Sequence, residues 1–366
     1  MRKKLLFTAL CCLTLTLAAQ APSGYYNNAQ GQTGYSLKTA LHNIIDNVDD
    51  ANGQPFHMPQ SYGDLWDVYE DSDSRIEDGN TFVFDMYSDC DFEFVTDQNM
   101  GDNGAECFNF NREHSFPRSW FENNGLPIFT DPFHVIPTDS RVNNLRGNLA
   151  YGEVISSQAT YTSTNGSQIG PSSLAGPTGN VFEPIDEFKG DIARQYFYVA
   201  TRYENLISGW ETNDTDGDSM LDGSSDQVFE DWALNMLYEW HVNDPVSAKE
   251  LQRQEAIFDF QGNRNPFIDN EDWVFEIWGN SLSTNTVVLK EFKMYPNPTN
   301  GNTLNFNLPN ADNSIVEIYS ILGNRVLTTK GTSEAFRINL GNLASGVYLV
   351  KIQQGQQFKT LKLIRR

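Results

Sequence analysis

Positive charge, sulfur and long apolar runs are all scarce in this 366-residue chain. It carries 25 Lys and Arg against 48 Asp and Glu, a formal net charge of −23, which argues against a broad basic face for a polyanion. Four cysteines with no CxxC pair leave a cysteine-rich zinc module without ligands. No helix-turn-helix or zinc-finger reader is recognisable, so no module that reads base sequence is expected. Composition also excludes disorder: 39% hydrophobic and 13% aromatic residues are too many for a solvated acidic chain, and there is no collagen or coiled-coil bias. The length suits two or three folding units, one of them large enough to bury a full core.

The one long apolar run is N-terminal. Arg2, Lys3 and Lys4 precede LLFTALCCLTLTL at residues 5–17, and Ala18 and Ala19 follow, the pattern of a secretory signal over residues 1–19. The run falls short of the roughly 20 residues a spanning helix requires, so no stable membrane span is expected. A lipoprotein anchor is the rival reading, although Cys11 and Cys12 sit inside the run rather than at its end. Export then governs the remaining thiols. Cys90 and Cys107 meet an oxidising compartment, where a disulfide is the expected outcome and metal binding the weaker alternative.

Charge locates a boundary. Residues 290–366 hold ten basic and four acidic residues, whereas residues 5–289 hold 12 basic against 44 acidic, a net of −32. The chain therefore joins a very acidic body, residues 20–279, through a polar linker at 280–289 to a basic tail module. In the body, Leu37, Ala40, Leu41, Ile44, Ile45 and Val48 recur at helical spacing, as do Phe229, Trp232, Ala233, Met236, Leu237 and Trp240. Phe82, Phe84 and Met86 alternate as in a strand, and residues 185–207 predict a long, partly buried helix. The fold class expected is α+β with more helix than sheet.

The tail reads differently: TLNFNL, SIVEIYSIL, RVLTT, FRINL, GVYLVKI and TLKLI are separated by Gly, Asn and Pro turns, predicting a small β-sandwich. YPNPTNG at 295–301, LASGVYLVKI at 343–352 and the closing FKTLKLIRR resemble the C-terminal sorting domain of type IX secretion. That resemblance implies passage through the periplasm and across the outer membrane, a secreted or cell-surface location, and the type IX machinery as partner. An adhesive or carbohydrate-binding module is the plain alternative.

Of the 12 basic residues of the body, Arg112, Arg118, Arg141 and Arg146 fall within 35 residues, so any phosphate-binding strip lies there. The same stretch contains NREHSFPRSW and PTDSRVNN. With YYNNAQGQTGYSLKTALHNII, SYGDLWDVY, YGEV, FEPIDEFKGDIARQYFYVATRYEN, WHVNDPVSAKEL and FQGNRNPFID, these segments resemble the endonuclease I family of exported nucleases, in order over about 250 residues. The resemblance implies a His-metal finger, a ββα unit, with mostly helical surroundings. It places the general base on His114 and the metal ligands on Glu113 and Asn143. It implies Mg2+ at the active site, or Mn2+ or Ca2+, and hydrolysis of DNA, and of RNA with it, to 5′-phosphate ends with little sequence preference. The chemistry suits those residues: a neutral imidazole with a pKa near 7 activates water, and a hard cation takes carboxylate and amide oxygens. On a strand, Glu113 and His114 would face opposite ways, so their shared target would sit at the hairpin end. Arg118, Arg146 and, less directly, Arg112 are the candidates to neutralise phosphate, against the plainer reading of each as an ion pair. Phe133 stands where relatives commonly carry a histidine ahead of His134.

The other histidines carry no motif. His134 in FHVIP reads as a hydrogen-bonded structural imidazole, His42 and His241 lie in helical segments, and His57 in a Pro-flanked loop. NDTDGDSMLDG at 213–223 places Asp214, Asp216, Asp218 and Asp222 in the alternation of a calcium loop, although Ser219 replaces the usual glycine and no Glu closes it. A structural Ca2+ is one reading; a solvated loop between helices is the other. The competing function is a non-enzymatic secreted calcium-binding or adhesion protein on an inactive nuclease scaffold. The acidic body further predicts a salt-tolerant nuclease, weak at low ionic strength, because screening at roughly 0.5 M salt shortens electrostatic reach to about 4 Å.

Overall fold

The computed structural model describes residues 21–46, 60–98, 101–121, 127–177, 179–279, 281–282, 293–307, 314–320, 325–331, 333, 335–341, 343–354 and 357–366. The expected signal segment, Val48 of the first helical stripe, His57, and Asn280 and residues 283–289 of the expected linker lie outside the described residues. Ser281 and Leu282 belong with the body: Ser281 Oγ bonds the Tyr35 hydroxyl at 2.8 Å, and Leu282 packs into the main core.

The body is mixed helix and sheet. It opens with α1 (Gly34–Ile45), whose buried Leu37, Leu41 and Ile45 form the predicted stripe. Then come α2 (Leu65–Ser72) and a hairpin of β1 (Ser74–Glu77) and β2 (Asn80–Val83). That hairpin turns on Asp78 and Gly79, both with positive φ, the geometry a two-residue primed turn requires. β2 ends at Val83, earlier than the Phe82–Phe84–Met86 alternation predicts. Phe84 N–H donates instead to Asp73 O at 2.6 Å, and Met86 enters the main core.

A second hairpin positions the candidate site. β3 (Phe110–His114) pairs antiparallel with β4 (Val135–Asp139), and α3 (Ser140–Arg146) follows directly and packs on both strands. Asp139 caps this helix, its Oδ1 accepting from Arg141 N at 2.7 Å and Val142 N at 2.9 Å. Cys90 and Cys107 are disulfide-bonded, and Cys107 N donates to the other Asp139 oxygen at 2.7 Å, so the bridge fixes the start of α3. Gly147, at φ +57°, ends it.

β5 (Tyr161–Thr162), β6 (Gln168–Pro171) and β7 (Asn180–Glu183) form a three-stranded antiparallel sheet. The predicted long helix is α4 (Asp186–Arg202), separated at Tyr203 from α5 (Glu204–Ile207). Fifteen of the 17 residues of α4 are buried, so its charges need partners on every side. They have them: Lys189 with Glu153, Glu183 and Asp186; Arg194 with Asp191 and Glu250; Arg202 with Asp131 and Asp46. Then follow α6 (Thr215–Met220), α7 (Asp231–Asn243), α8 (Ala248–Gln261), α9 (Pro266–Asp269) and α10 (Asp272–Trp278), of which α7 to α10 touch α4. Among the described residues no helix is long and apolar enough to cross a membrane.

The tail has its own core. β8 (Lys293–Tyr295), β9 (Thr303–Asn307) and β12 (Ala335–Asn339) form one antiparallel sheet. β10 (Ser314–Ser320), β11 (Arg325–Lys330), β13 (Gly346–Gln354) and β14 (Gln357–Arg365) form another. Leu304, Phe306 and Ile338 of the first share one hydrophobic cluster with Val316, Val350 and Ile352 of the second.

Candidate active site

The residues of β3 divide by strand alternation. Asn111 and Glu113 turn toward α3, where Asn143 Nδ2 donates to Asn111 Oδ1 at 2.6 Å and Arg146 Nη1 donates to Glu113 Oε1 at 2.8 Å. Arg112 and His114 turn the other way, into an aromatic setting: the Arg112 guanidinium lies 3.5 Å from the Tyr62 ring centroid and 4.3 Å from Trp66. The His114 ring stacks on Phe129 at 5.3 Å and on Tyr62 at 5.9 Å.

His114 is buried, and its Nε2 bonds the Phe129 carbonyl at 3.1 Å. A carbonyl can only accept, so Nε2 carries the proton and Nδ1 keeps its lone pair. Burial, reinforced by His134, holds the imidazole at a pKa of about 3, below the value near 7 expected of the base, so it is neutral across the physiological range. His134 is fully buried 5.7 Å away, its Nε2 bonded to Ile128 O at 2.7 Å. Phe133 packs on Tyr198 in the core at 4.6 Å. His42 bonds main-chain carbonyls of Thr201 and Arg202, and His241 that of Glu271.

Glu113 is also buried. Burial raises its carboxyl to about 7, against the pull of Arg146 and of Tyr87, whose hydroxyl donates to the same oxygen at 3.0 Å. Tyr87 in turn shares a hydrogen bond with the Tyr151 hydroxyl, and the Arg146 guanidinium lies 4.5 Å from the Tyr151 ring. α4 braces the residue that follows the strand: Gln195 accepts from Ser115 Oγ at 2.6 Å, and Tyr196 donates to Ser115 O at 2.9 Å.

One expectation is corrected. Arg146, expected at the phosphate, is fully buried; besides Glu113 it bonds His114 O at 3.0 Å and Ser115 O at 2.8 Å, so its guanidinium holds the end of β3 instead of facing solvent. The segment read as a possible calcium loop is helical in part. Asp214 caps α6, accepting from Asp216 N at 2.9 Å and from Asn148 Nδ2 at 2.7 Å, while Asp216 and Asp218 are drawn into the helix and Asp222 bonds Ser224 N at 2.8 Å. Among the described residues no group of three or more His, Cys, Asp or Glu side chains could hold a metal ion.

The remaining cations sharpen the picture. All 12 basic residues of the body are described, and most are buried in ion pairs or half-buried; Arg118 alone is exposed. Its guanidinium lies 5.0 Å from the Phe129 ring on which His114 stacks. The aromatic surroundings of His114, the Tyr87–Tyr151 pair and Asn111 escape a reading by motif. Asn111 alone had a signal, standing two residues before Glu113 and so on the same face of a strand.

The family model described as Endonuclease I matches residues 33–272, and that of the secretion system C-terminal sorting domain matches residues 293–366. The chain is 33% identical over 259 residues to an extracellular ribonuclease of Bacillus amyloliquefaciens, covering 69% of this chain and 78% of that protein. It is 32% identical over 274 residues to the extracellular ribonuclease of Bacillus subtilis (strain 168), covering 72% and 83%. An endonuclease-1 of Buchnera aphidicola subsp. Acyrthosiphon pisum (strain APS) matches at 26% over 141 residues, covering 38% of this chain and 45% of that one. These matches define a secreted or cell-surface nuclease. More narrowly, the chain belongs to the endonuclease I family and carries a type IX secretion sorting domain.

Proposed function

We propose that the body is a divalent-metal-dependent endonuclease of low sequence selectivity, hydrolysing DNA and RNA to 5′-phosphate and 3′-hydroxyl ends with His114 as general base. In this reading β3, β4 and α3 are a His-metal finger, and the two tail sheets are the sandwich read by the secretion machinery. The observation that carries it is the His114 ring at the end of the hairpin, its Nε2 donating to the Phe129 carbonyl so that Nδ1 is left with its lone pair. Water attacks phosphorus, Nδ1 takes its proton, the P–O3′ bond breaks, and the leaving oxygen is protonated by solvent. Arg118, the exposed cation beside this ring, receives the phosphate.

The donor set fits a hard divalent ion. Glu113 commits Oε1 to Tyr87 and Arg146, which leaves Oε2, and Asn143 commits Nδ2 to Asn111, which leaves Oδ1. One carboxylate and one amide oxygen with waters suit magnesium and its like, not the closed nitrogen and sulfur cage of structural zinc. When bound, such an ion supplies charge to the scissile phosphate and to the departing oxygen. RNA belongs in the substrate range because two relatives matched over most of their length are named ribonucleases.

The test is cleavage of plasmid and of RNA by the purified protein with magnesium and with EDTA, followed by end analysis. Magnesium-dependent cleavage of both to 5′-phosphate ends is expected. Undiminished cleavage in EDTA, or 3′-phosphate ends, would overturn the mechanism.

A further inference from the structure

Five side chains line up on the Arg112 and His114 face of β3. Trp66 touches Arg112, Arg112 touches Tyr62, Tyr62 stacks on Phe129 at 4.6 Å, and Phe129 meets Arg118. Trp66, Tyr62 and Phe129 are half-buried rather than sealed in the core, although the body has a large apolar interior that could take them. The row ends on Phe129 and Arg118, and Arg118 is the only exposed cation of an acidic body. The Arg118 contact is also the loosest of the cation contacts in the row, 5.0 Å from the ring centroid against 3.5 and 4.3 Å for Arg112. An exposed arginine side chain can swing off a ring that a flat ligand then covers.

We infer that Phe129, backed by Tyr62 and flanked by Arg118, is a seat for an unpaired nucleobase of the substrate, so that the site favours single-stranded over duplex nucleic acid. The inference rests on the nuclease reading above and adds a substrate class to it. An aromatic face with a mobile guanidinium beside it stacks any base without reading its edges, which suits an enzyme of low sequence selectivity. A base within a duplex is already stacked and paired, so it gains nothing from the ring. His114 stacks on the same ring at 5.3 Å, so a base seated there brings its own phosphate toward Nδ1, and the released Arg118 meets that phosphate. Phe129 is thus a positioning and specificity residue, distinct from the base and the metal ligands.

The experiment compares kcat and KM of the full chain on single-stranded and duplex DNA of one sequence, for wild type, Phe129→Leu and Phe129→Trp, with thermal unfolding in parallel. Leucine keeps bulk and loses the π-face; tryptophan restores the face. Phe129→Leu is expected to lower single-strand kcat/KM roughly ten-fold or more, chiefly through KM. Duplex cleavage is expected to fall much less, so that the single-strand to duplex ratio of kcat/KM drops, and Phe129→Trp is expected to restore that ratio. Equal losses on both substrates would make the ring a mere support for His114, and unchanged single-strand kinetics would remove the seat; either result overturns the inference while leaving a nuclease. A wild type inert on both substrates would bring down the nuclease reading and this inference with it.

Discussion

Replacing Arg146 with methionine isolates the strongest interaction behind the site. Arg146 is fully buried and donates to Glu113 Oε1, His114 O and Ser115 O. Methionine keeps much of the volume and removes every donor, leaving Glu113 buried without its cation and two carbonyls short of a partner. Breaking one side of a buried ion pair costs about 3–5 kcal/mol, and for a domain of this size that lowers Tm by roughly 10 °C. The sign with pH follows from Glu113, whose carboxyl lies near 7. Below that the carboxyl is protonated in both proteins and the missing cation matters less. Above it Arg146 stabilises a carboxylate that the variant must keep protonated or bury uncompensated, so the deficit is larger at pH 8.5 than at pH 5.5. Urea unfolding of Arg146→Met, Glu113→Gln and the double variant at both pH values measures this. The double variant should be less damaged than the sum of the two singles. A loss below about 1 kcal/mol, or additive singles, would refute the argument that the pair locks the end of β3.

Further outcomes follow from other parts of the molecule. Cleavage of plasmid should rise from low ionic strength toward roughly 0.5 M salt, because screening weakens repulsion by the acidic surface more than contact at Arg118; a steady decline over that range would contradict it. Asp214→Ala should cost about 1 kcal/mol through loss of the α6 cap, and calorimetric titration of either protein with calcium should show no stoichiometric binding at that segment. His241 is buried near a pKa of about 3, chiefly by desolvation and then by Arg194. The unfolded chain therefore binds the extra proton between about pH 6.5 and 3, and stability is lost as pH falls through that window. His241→Gln should relieve up to about 1.4 kcal/mol of that loss per pH unit, read as the difference between two urea denaturation series, and parallel series would rule it out.

Much of this was open to a reader of the sequence. The helical stripes of α1 and α7 and the length of α4 follow from apolar spacing, because each helix buries one face or more in a single core. Glu113 and His114 fall on the last two residues of β3 and face opposite ways, as alternation requires. What stayed hidden depends on burial across distant segments. Nothing near Arg146 says that Glu113 lies under Tyr87 and Tyr151, so an arginine beside a presumed phosphate site reads as exposed when it is the carboxylate's partner. The Asp214 alternation fits a calcium loop by spacing alone; the helix that Asp214 caps competes for the same residues. Tyr62 and Phe129 reach His114 from 52 residues before it and 15 after, a convergence that no local pattern encodes.

The central claim is that one imidazole, His114, activates the water. The most direct measurement is the single-turnover cleavage rate of His114→Ala beside wild type, in saturating magnesium, with matched thermal unfolding showing both folded. The account predicts a fall of roughly 100- to 10,000-fold with the unfolding transition retained. A folded His114→Ala protein that cleaves at the wild-type rate would place the base elsewhere and contradict it.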